Sequence, residues 1–389
     1  MTPSPVVEIE TAAQLHAVLD AGDSLAGARF QGLDLRPFEE RLLHRHDVQG
    51  LIVLGGEFSS LLEHHLRAGG AVIFPSDPRS PVRPFRGTLY SPPELYAGIR
   101  EQGYDSTLDA RAYAWLEDAG VRRDAYVTML RAIHDDAMSD ALDSLLTDRR
   151  AVGVMGGHAL DRGTDEFEHA ARLGHDLAEH GFVVLTGGGP GAMEAANLGA
   201  WARDEGELRR GLDAVAQVAR FADGVEPWIL AGLDLVEGHH DTSARASGKT
   251  GSADTDTDTD TDTDTDTRSV GIPTWHFGHE PPNVFAQQIA KYFSNALREE
   301  ELLRRSCAGL VVLPGAAGTV QEVFQMATRL YYEVDGGPLS PLILVGREHW
   351  RDDIPVWPLV QRLGQDRAMG QHLHLVDSHA EAVEIVAAS

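Results

Sequence analysis

Two short runs carry the strongest chemical pattern in this chain: Thr186-Gly187-Gly188-Gly189-Pro190-Gly191 and Pro314-Gly315-Ala316-Ala317-Gly318-Thr319. Each follows an apolar run of strand length, 182–185 and 309–313, and each opens a run with helical spacing, 192–203 and 320–332. A glycine turn between strand and helix lets backbone N–H groups approach an anion closely, and the helix N-terminus adds partial positive charge. Thr319 could cap its helix and bind a phosphate oxygen with the same hydroxyl. Glu322 stands one helical turn beyond Thr319. Neither run is a Walker A loop, since no Gly-Lys-Ser/Thr follows, and neither places Gly-x-Gly-x-x-Gly in the first βα turn. Either turn alone reads as readily as a tight connection. Two of them in one strand–helix alternation, with a carboxylate one turn on, are a stronger signal.

The elements that must hold these turns begin near Arg150. The pattern predicts a strand over 151–155 ending in Gly156-Gly157, a helix over 166–180 closed by Gly181, and a strand over 182–185 before the first glycine turn. Helices follow over 192–203 and 208–222, a strand over 269–275, and helices over 283–298 and 299–306. The strand 309–313 leads into the second turn, and 320–332 (helix), 341–345 (strand), 355–363 (helix), 374–376 (strand) and 380–387 (helix) complete the chain. Such alternation implies right-handed βαβ crossovers, hence an α/β, Rossmann-like, mainly parallel sheet with helices on both faces. Ligands of such a sheet sit at the carboxyl ends of the strands.

Upstream, 49–55 and 70–75 read as short buried strands flanking a helix over 57–67, and 76–87 as a Pro/Arg-rich loop. Helical spacing over 108–119 and 124–146 links this part to the next. The expected domains are a small α/β unit over 1–145 and the Rossmann-like domain over 146–389. Within the latter, 238–269 reads as a disordered surface insert, because the Asp-Thr alternation of 254–267 supplies no apolar face to offset the entropy of ordering.

Composition narrows the function classes. A hydrophobic content of 42% suits a buried core, and no run reaches the ~18 consecutive apolar residues of a membrane helix. The first ten residues lack the basic and apolar regions of a signal peptide, so a cytoplasmic location and no membrane partner are expected. A net charge of −27 argues against binding a nucleic-acid polymer, which needs cationic contacts to phosphate. The single cysteine, Cys307, excludes an internal disulfide framework and a Cys-based metal site, and beside the apolar 310–313 run it reads as a buried small hydrophobe. His276 and His279 with Glu280 superficially suggest a metal, but no third ligand accompanies them, and no metal or cofactor is expected. His158, after Gly156-Gly157, reads either as lining the site or as an incidental loop histidine.

The two glycine runs, read out as TGGGPGAMEAANLGA and LPGAAGTVQEVFQ, resemble the LOG family, long mislabelled as lysine decarboxylases. That family's P-G-G-x-G-T-x-x-E signature is matched by Pro314, Gly315, Gly318, Thr319 and Glu322, with Ala316 in place of the second glycine. Its upstream glycine loop and methionine are matched by Gly187, Gly188, Gly189, Gly191 and Met193. The resemblance covers about residues 150–389. It implies a nucleoside 5′-monophosphate phosphoribohydrolase, which splits the N-glycosidic bond to release base and ribose 5-phosphate. It also implies a homodimer, a phosphate held by 314–319, and Glu322 contacting the ribose or activating water. Typical members carry an Arg-Lys pair in the preceding helix. Counting back from Pro314 puts Glu299 and Glu300 there. Arg298 takes the catalytic arginine's place if the register slips by one; otherwise Asn295 and Arg298 belong to a divergent subgroup. The alternative is a protein of the same fold that binds a nucleotide or nucleotide-like cofactor without turnover. A PLP-dependent decarboxylase is excluded, because Lys249 lies in the insert and Lys291, read as mid-helix, has no cofactor motif around it.

Overall fold

The structure is a computed structural model that describes residues 7–246, 266–278, 280–333 and 339–389. Contacts divide the chain into two compact units, one of residues 1–89 and 111–141, the other of 90–110 and 142–389. The division is thus interleaved and does not fall at one point near 145. His279, Lys249 and most of the Asp-Thr repeat lie outside the described residues.

The first unit is built on a four-stranded parallel sheet: β1 (Glu8–Ile9), β2 (Arg29–Gln31), β3 (Ile52–Leu54) and β4 (Val72–Phe74), each beside its sequence neighbour. The register partners Glu8, Arg29, Ile52 and Val72 stand roughly twenty residues apart, the spacing of a solenoid repeat. The sequence exposes only the last two strands as apolar runs. The first two are two and three residues long, and their inward residues, Ile9 and Phe30, join a core with Leu15, Leu51, Val53 and Leu66.

The second unit carries a seven-stranded sheet in which every pairing is parallel. Its strands are β5 (Ala151–Met155), β6 (Val183–Thr186), β7 (Ser269–Gly271), β8 (Gln288–Ile289), β9 (Gly309–Val312), β10 (Leu342–Val345) and β11 (Leu373–Val376). The spatial order is β11-β10-β9-β5-β6-β7-β8. Chain order therefore runs outward from β5 on one side as far as β8, then returns to β9 on the other side and runs outward again. The reversal point, between β5 and β9, is where an open α/β sheet leaves a crevice at its carboxyl edge. β5, β6, β9 and β10 are buried at every residue, as strands covered on both faces must be. No helix among the described residues is long and apolar enough to cross a membrane.

Helices Asp165–Glu179, Ala192–Trp201 and His379–Ala388 form one packed group, and Asn295–Arg305, Ala317–Tyr332 and Trp357–Gly364 another. The first two approach backbone to backbone. A Cβ on Gly199 would overlap the Ala171 carbonyl oxygen and stand 2.8 Å from the His175 nitrogen. Gly199→Ala is expected to lower stability by about 2–4 kcal/mol, read as a lower denaturation midpoint in urea at unchanged m-value.

Several sequence expectations are corrected. The helix expected over 283–298 starts only at Asn295, where Ser294 caps it through Leu297 N–H at 3.3 Å. Before it the chain turns at Val284–Phe285 and then enters the short strand β8. Asn283 Oδ1 accepts from the amides of Phe285 and Ala286, both at 3.1 Å, and Ile289 exchanges backbone hydrogen bonds with Tyr90. Phe285, Ala286, Ile289, Ala290 and Tyr292 are all buried, so their spacing reflects burial on every side and not one helical stripe. Lys291 is therefore not mid-helix. The helix Val225–Ala246 continues past 238, where the insert was expected to begin, and at the other end Ser269 already pairs in β7. The expected 208–222 helix is Glu205–Val215, capped by Asp204. Cys307 is exposed, in the turn before β9, and not buried.

Candidate functional site

The two glycine turns leave the carboxyl ends of β6 and β9, which flank β5 on either side. The end of β5 ties them together. Gly157 N–H donates to the Pro314 carbonyl at 3.1 Å, and the Gly157 carbonyl accepts from Ala192 N–H at 3.1 Å, the first residue of the helix behind the first turn. Both turns thus converge on one residue at the crevice of the sheet.

A buried polar network shapes the first turn. Thr186 Oγ1 accepts from Gly188 N–H at 2.9 Å and donates to Asn197 Oδ1 at 2.6 Å. Asn283 Nδ2 donates to the same Asn197 oxygen at 2.9 Å and to the Gly189 carbonyl at 3.2 Å, and Asn283 N–H donates to the Gly188 carbonyl at 2.8 Å. The side chains of Thr186, Asn197 and Asn283 thus satisfy one another and the backbone of the turn, which holds its shape. Met193 folds back over the turn: a Cβ on Gly187 would lie 2.7 Å from its sulfur, and one on Gly189 3.0 Å from its methyl.

The second turn opens helix Ala317–Tyr332, whose N-cap is Ala316 with no side-chain cap. Thr319 does not cap it, as had been expected. It is the third helical residue, is buried, and its hydroxyl fills the space a Cβ on Gly315 would need. The first N–H groups of a helix have no intrahelical acceptor, so an uncapped end suits an anion. A Cβ on Gly318 would meet open space.

Arg298, on the Asn295–Arg305 helix, bridges the two turns. Its Nε donates to the Ile272 carbonyl at 2.9 Å, just past β7, and its Nη2 would lie 2.8 Å from a Cβ on Gly187. Its Nη1 stands 3.6 Å from Glu322 Oε1. Both side chains are largely buried, 11% and 16% exposed. Arg298 rather than Glu299 thus faces the carboxylate. Glu299 is held on the outer side by Asn295, Gln321 and Gln325 at 2.7, 2.7 and 2.9 Å. Burial pushes the Glu322 carboxyl up to about 7, with Arg298 opposing the rise and the Glu299 charge adding to it. A carboxyl tuned to neutrality beside a buried guanidinium is a general acid–base arrangement. Removing the cation in Arg298→Met is expected to move the Glu322 titration upward by about one unit, measured by carbon NMR of the labelled carboxyl group.

The structure brings together Gly187, Gly189, Gly191, Met193, Pro314, Gly315, Thr319, Arg298 and Glu322. Three further residues at this rim lie outside the motifs. Glu280 approaches Gly189, with Oε2 3.6 Å from a Cβ there, and Oε1 lies 3.7 Å from Nδ1 of the exposed His158. His349, on the turn after β10, places Nε2 against Gly315. His158 lies at the rim, one of the two readings its place after Gly156-Gly157 allows, whereas the sequence suggests Glu280 only for a metal and gives His349 no local signal, since each comes from a separate crossover. Lys291 is elsewhere in the second unit. It is fully buried, paired with Asp109 and 5.2 Å from the Trp275 ring centroid, and burial pushes its amine below the usual range. That is an ion pair closing the core around Trp275, whose indole N–H also donates to Asp109 at 3.0 Å.

No curated protein sequence matches this chain. The sequence model of the SLOG cluster4 family matches residues 149–235, which include β5, β6, the first glycine turn and Met193 and end before Arg298, the second turn and Glu322. Over that segment the chain is similar to the SLOG cluster4 family, itself related to the LOG Rossmann-like proteins.

Proposed function

We propose that the crevice at the ends of β5, β6 and β9 binds a nucleoside 5′-monophosphate and hydrolyses its N-glycosidic bond, releasing the base and ribose 5-phosphate. The observation that carries this reading is Arg298, whose Nη2 fills the space beside Gly187 of one turn, 2.8 Å from where a Cβ would stand, and whose Nη1 is 3.6 Å from Glu322 beyond the other. One cation thereby joins the anion-binding turns to the carboxyl group.

In this reading the 5′-phosphate lies on the open N-terminus of helix Ala317–Tyr332, against the amides of Ala317, Gly318 and Thr319. Glu322 follows three residues after Thr319, about 4.5 Å along the axis, on the side where the ribose extends. As the C1′–N bond breaks, its electron pair leaves with the base, which takes up a proton from solvent, and C1′ becomes oxocarbenium-like; the proton that Glu322 takes from the attacking water returns to solvent, so that one water is consumed. The Glu322 carboxylate stabilises that charge and accepts a proton from the water whose oxygen bonds to C1′. Arg298 opposes the rise that burial gives the Glu322 carboxyl and orients the carboxylate. The homodimer implied by the LOG resemblance is part of the proposal and is checked by sedimentation.

A binding-only reading is favoured by Glu299, which adds negative charge beside Glu322. Incubation with a panel of nucleoside monophosphates separates the two. Free base and ribose 5-phosphate, detected by chromatography, support hydrolysis. Thermal stabilisation by a nucleotide with no base released supports binding alone. Neither effect with any member of the panel refutes both.

A further inference from the structure

We infer that His349 is a positioning residue for the phosphate turn, so that it sets the affinity of this site for phosphorylated ligands; the inference rests on the reading of 314–319 as a phosphate site. His349 reaches the turn from the neighbouring crossover. β10 pairs with β9, and after Val345 the chain turns at Gly346 into a π-helical turn, His349–Asp353. Such turns redirect a side chain out of the regular helical path and recur at functional sites.

The imidazole is held from three sides. Its ring meets the buried Trp350 edge-on, with centroids 4.6 Å apart at 84°. Trp350 is anchored in turn by its indole N–H, which donates to the Val345 carbonyl at 3.0 Å. Nδ1 lies 3.9 Å from Asp353 Oδ2. Nε2 then falls against the Gly315 backbone, 3.3 Å from its nitrogen and 3.1 Å from its carbonyl oxygen. With the proton on Nδ1, Gly315 N–H donates to Nε2; with it on Nε2, the imidazole donates to the Gly315 carbonyl. In either tautomer the Gly315 backbone is held from outside the turn, by its N–H in one case and by its C=O in the other.

That restraint matters because nothing inside the helix supplies it. Ala316 gives the helix no side-chain cap. Gly315 has no side chain to pack, and the space beside it is taken by Thr319. An anion site built from backbone amides binds well only when their directions are set beforehand. With Gly157 N–H holding the Pro314 carbonyl, His349 is the side chain that holds the backbone of Gly315. Its role is to orient the turn, and it need not touch the reacting atoms.

Two substitutions test this. His349→Phe keeps a ring against Trp350 and removes both nitrogens, while His349→Gln supplies an amide that can again reach Gly315. Dissociation constants for AMP and ribose 5-phosphate are measured by calorimetry. The expected result is a roughly tenfold loss of affinity for both ligands in His349→Phe, with His349→Gln within about threefold of the parent. Parent-like affinity in His349→Phe, or an equal loss in His349→Gln, overturns the positioning role and leaves the phosphate site standing. Failure of the parent protein to bind either ligand overturns the phosphate site itself, and the inference with it.

Discussion

Glu322→Gln is expected to release base from a nucleoside monophosphate roughly 1,000-fold more slowly than the parent while binding the nucleotide about as well. The side chain keeps its size and loses only the ability to ionise, so the anion-binding turns are undisturbed. The same substitution has a second, opposite effect on stability. The Glu322 carboxyl is raised from 4.5 to about 7. The folded protein therefore holds a proton at pH values where the unfolded chain has already lost it. The stability this contributes is fully present below pH 4.5 and is lost as pH rises through about 7. Above that, the ionised carboxylate is carried at a penalty on the order of 3 kcal/mol, which Glu322→Gln removes. The variant should thus be more stable than the parent at pH 8 and nearly equal to it at pH 4. The catalytic form in the proposed mechanism is the carboxylate, so the parent's rate should rise with pH and be half-maximal near 7. Full turnover by Glu322→Gln, or a rate that falls through that range, removes Glu322 from the proposed chemistry.

Gly191→Ala is expected to cost the fold about 3–5 kcal/mol and abolish nucleotide binding. Gly191 has φ 74° and ψ −132°, a conformation that only glycine adopts freely. It also lies under the end of β5, where a Cβ would stand 2.6 Å from the Gly157 oxygen and 2.7 Å from the His158 carbonyl carbon and oxygen. Those atoms belong to the segment that ties both glycine turns together, so relief of the clash must move it away from the first turn and loosen its hold on Pro314. A fall in melting temperature of roughly 10 °C, with no calorimetric heat on adding AMP, is the expected outcome. Gly181→Asn is the control: Gly181 also has a positive φ of 82°, but a Cβ there meets nothing within 4 Å. A normal melt and normal AMP binding by Gly191→Ala would contradict the convergence of the two turns.

Much of the Rossmann-like unit was legible because its strands are buried on both faces. Runs such as 151–155 and 309–313 then carry no polar side chain and lead into Gly156-Gly157 and Pro314-Gly315. Glycine turns, helices and the first carboxylate follow from local spacing. Legibility failed where burial came from several directions at once. The 283–293 stretch carries apolar residues at intervals that fit a helix, yet Asn283 holds a turn at its start, and pairing with β7 and Tyr90 makes a strand of Gln288–Ile289. The strands β1 and β2 are too short to show alternation, and only the register with β3 reveals them. In the site, Arg298 could be reached by counting only with a one-residue shift, and the structure settles which of the neighbouring side chains faces Glu322. His349 had no signal, because a histidine thirty-four residues beyond Gly315 meets it only through the β9–β10 pairing.

The most direct measurement is a crystal structure of the protein soaked with ribose 5-phosphate. The account predicts its phosphate on the amides of Ala317, Gly318 and Thr319, with C1′ turned toward Glu322 and Arg298. A phosphate bound elsewhere on the chain, or a sugar directed away from Glu322, would contradict it.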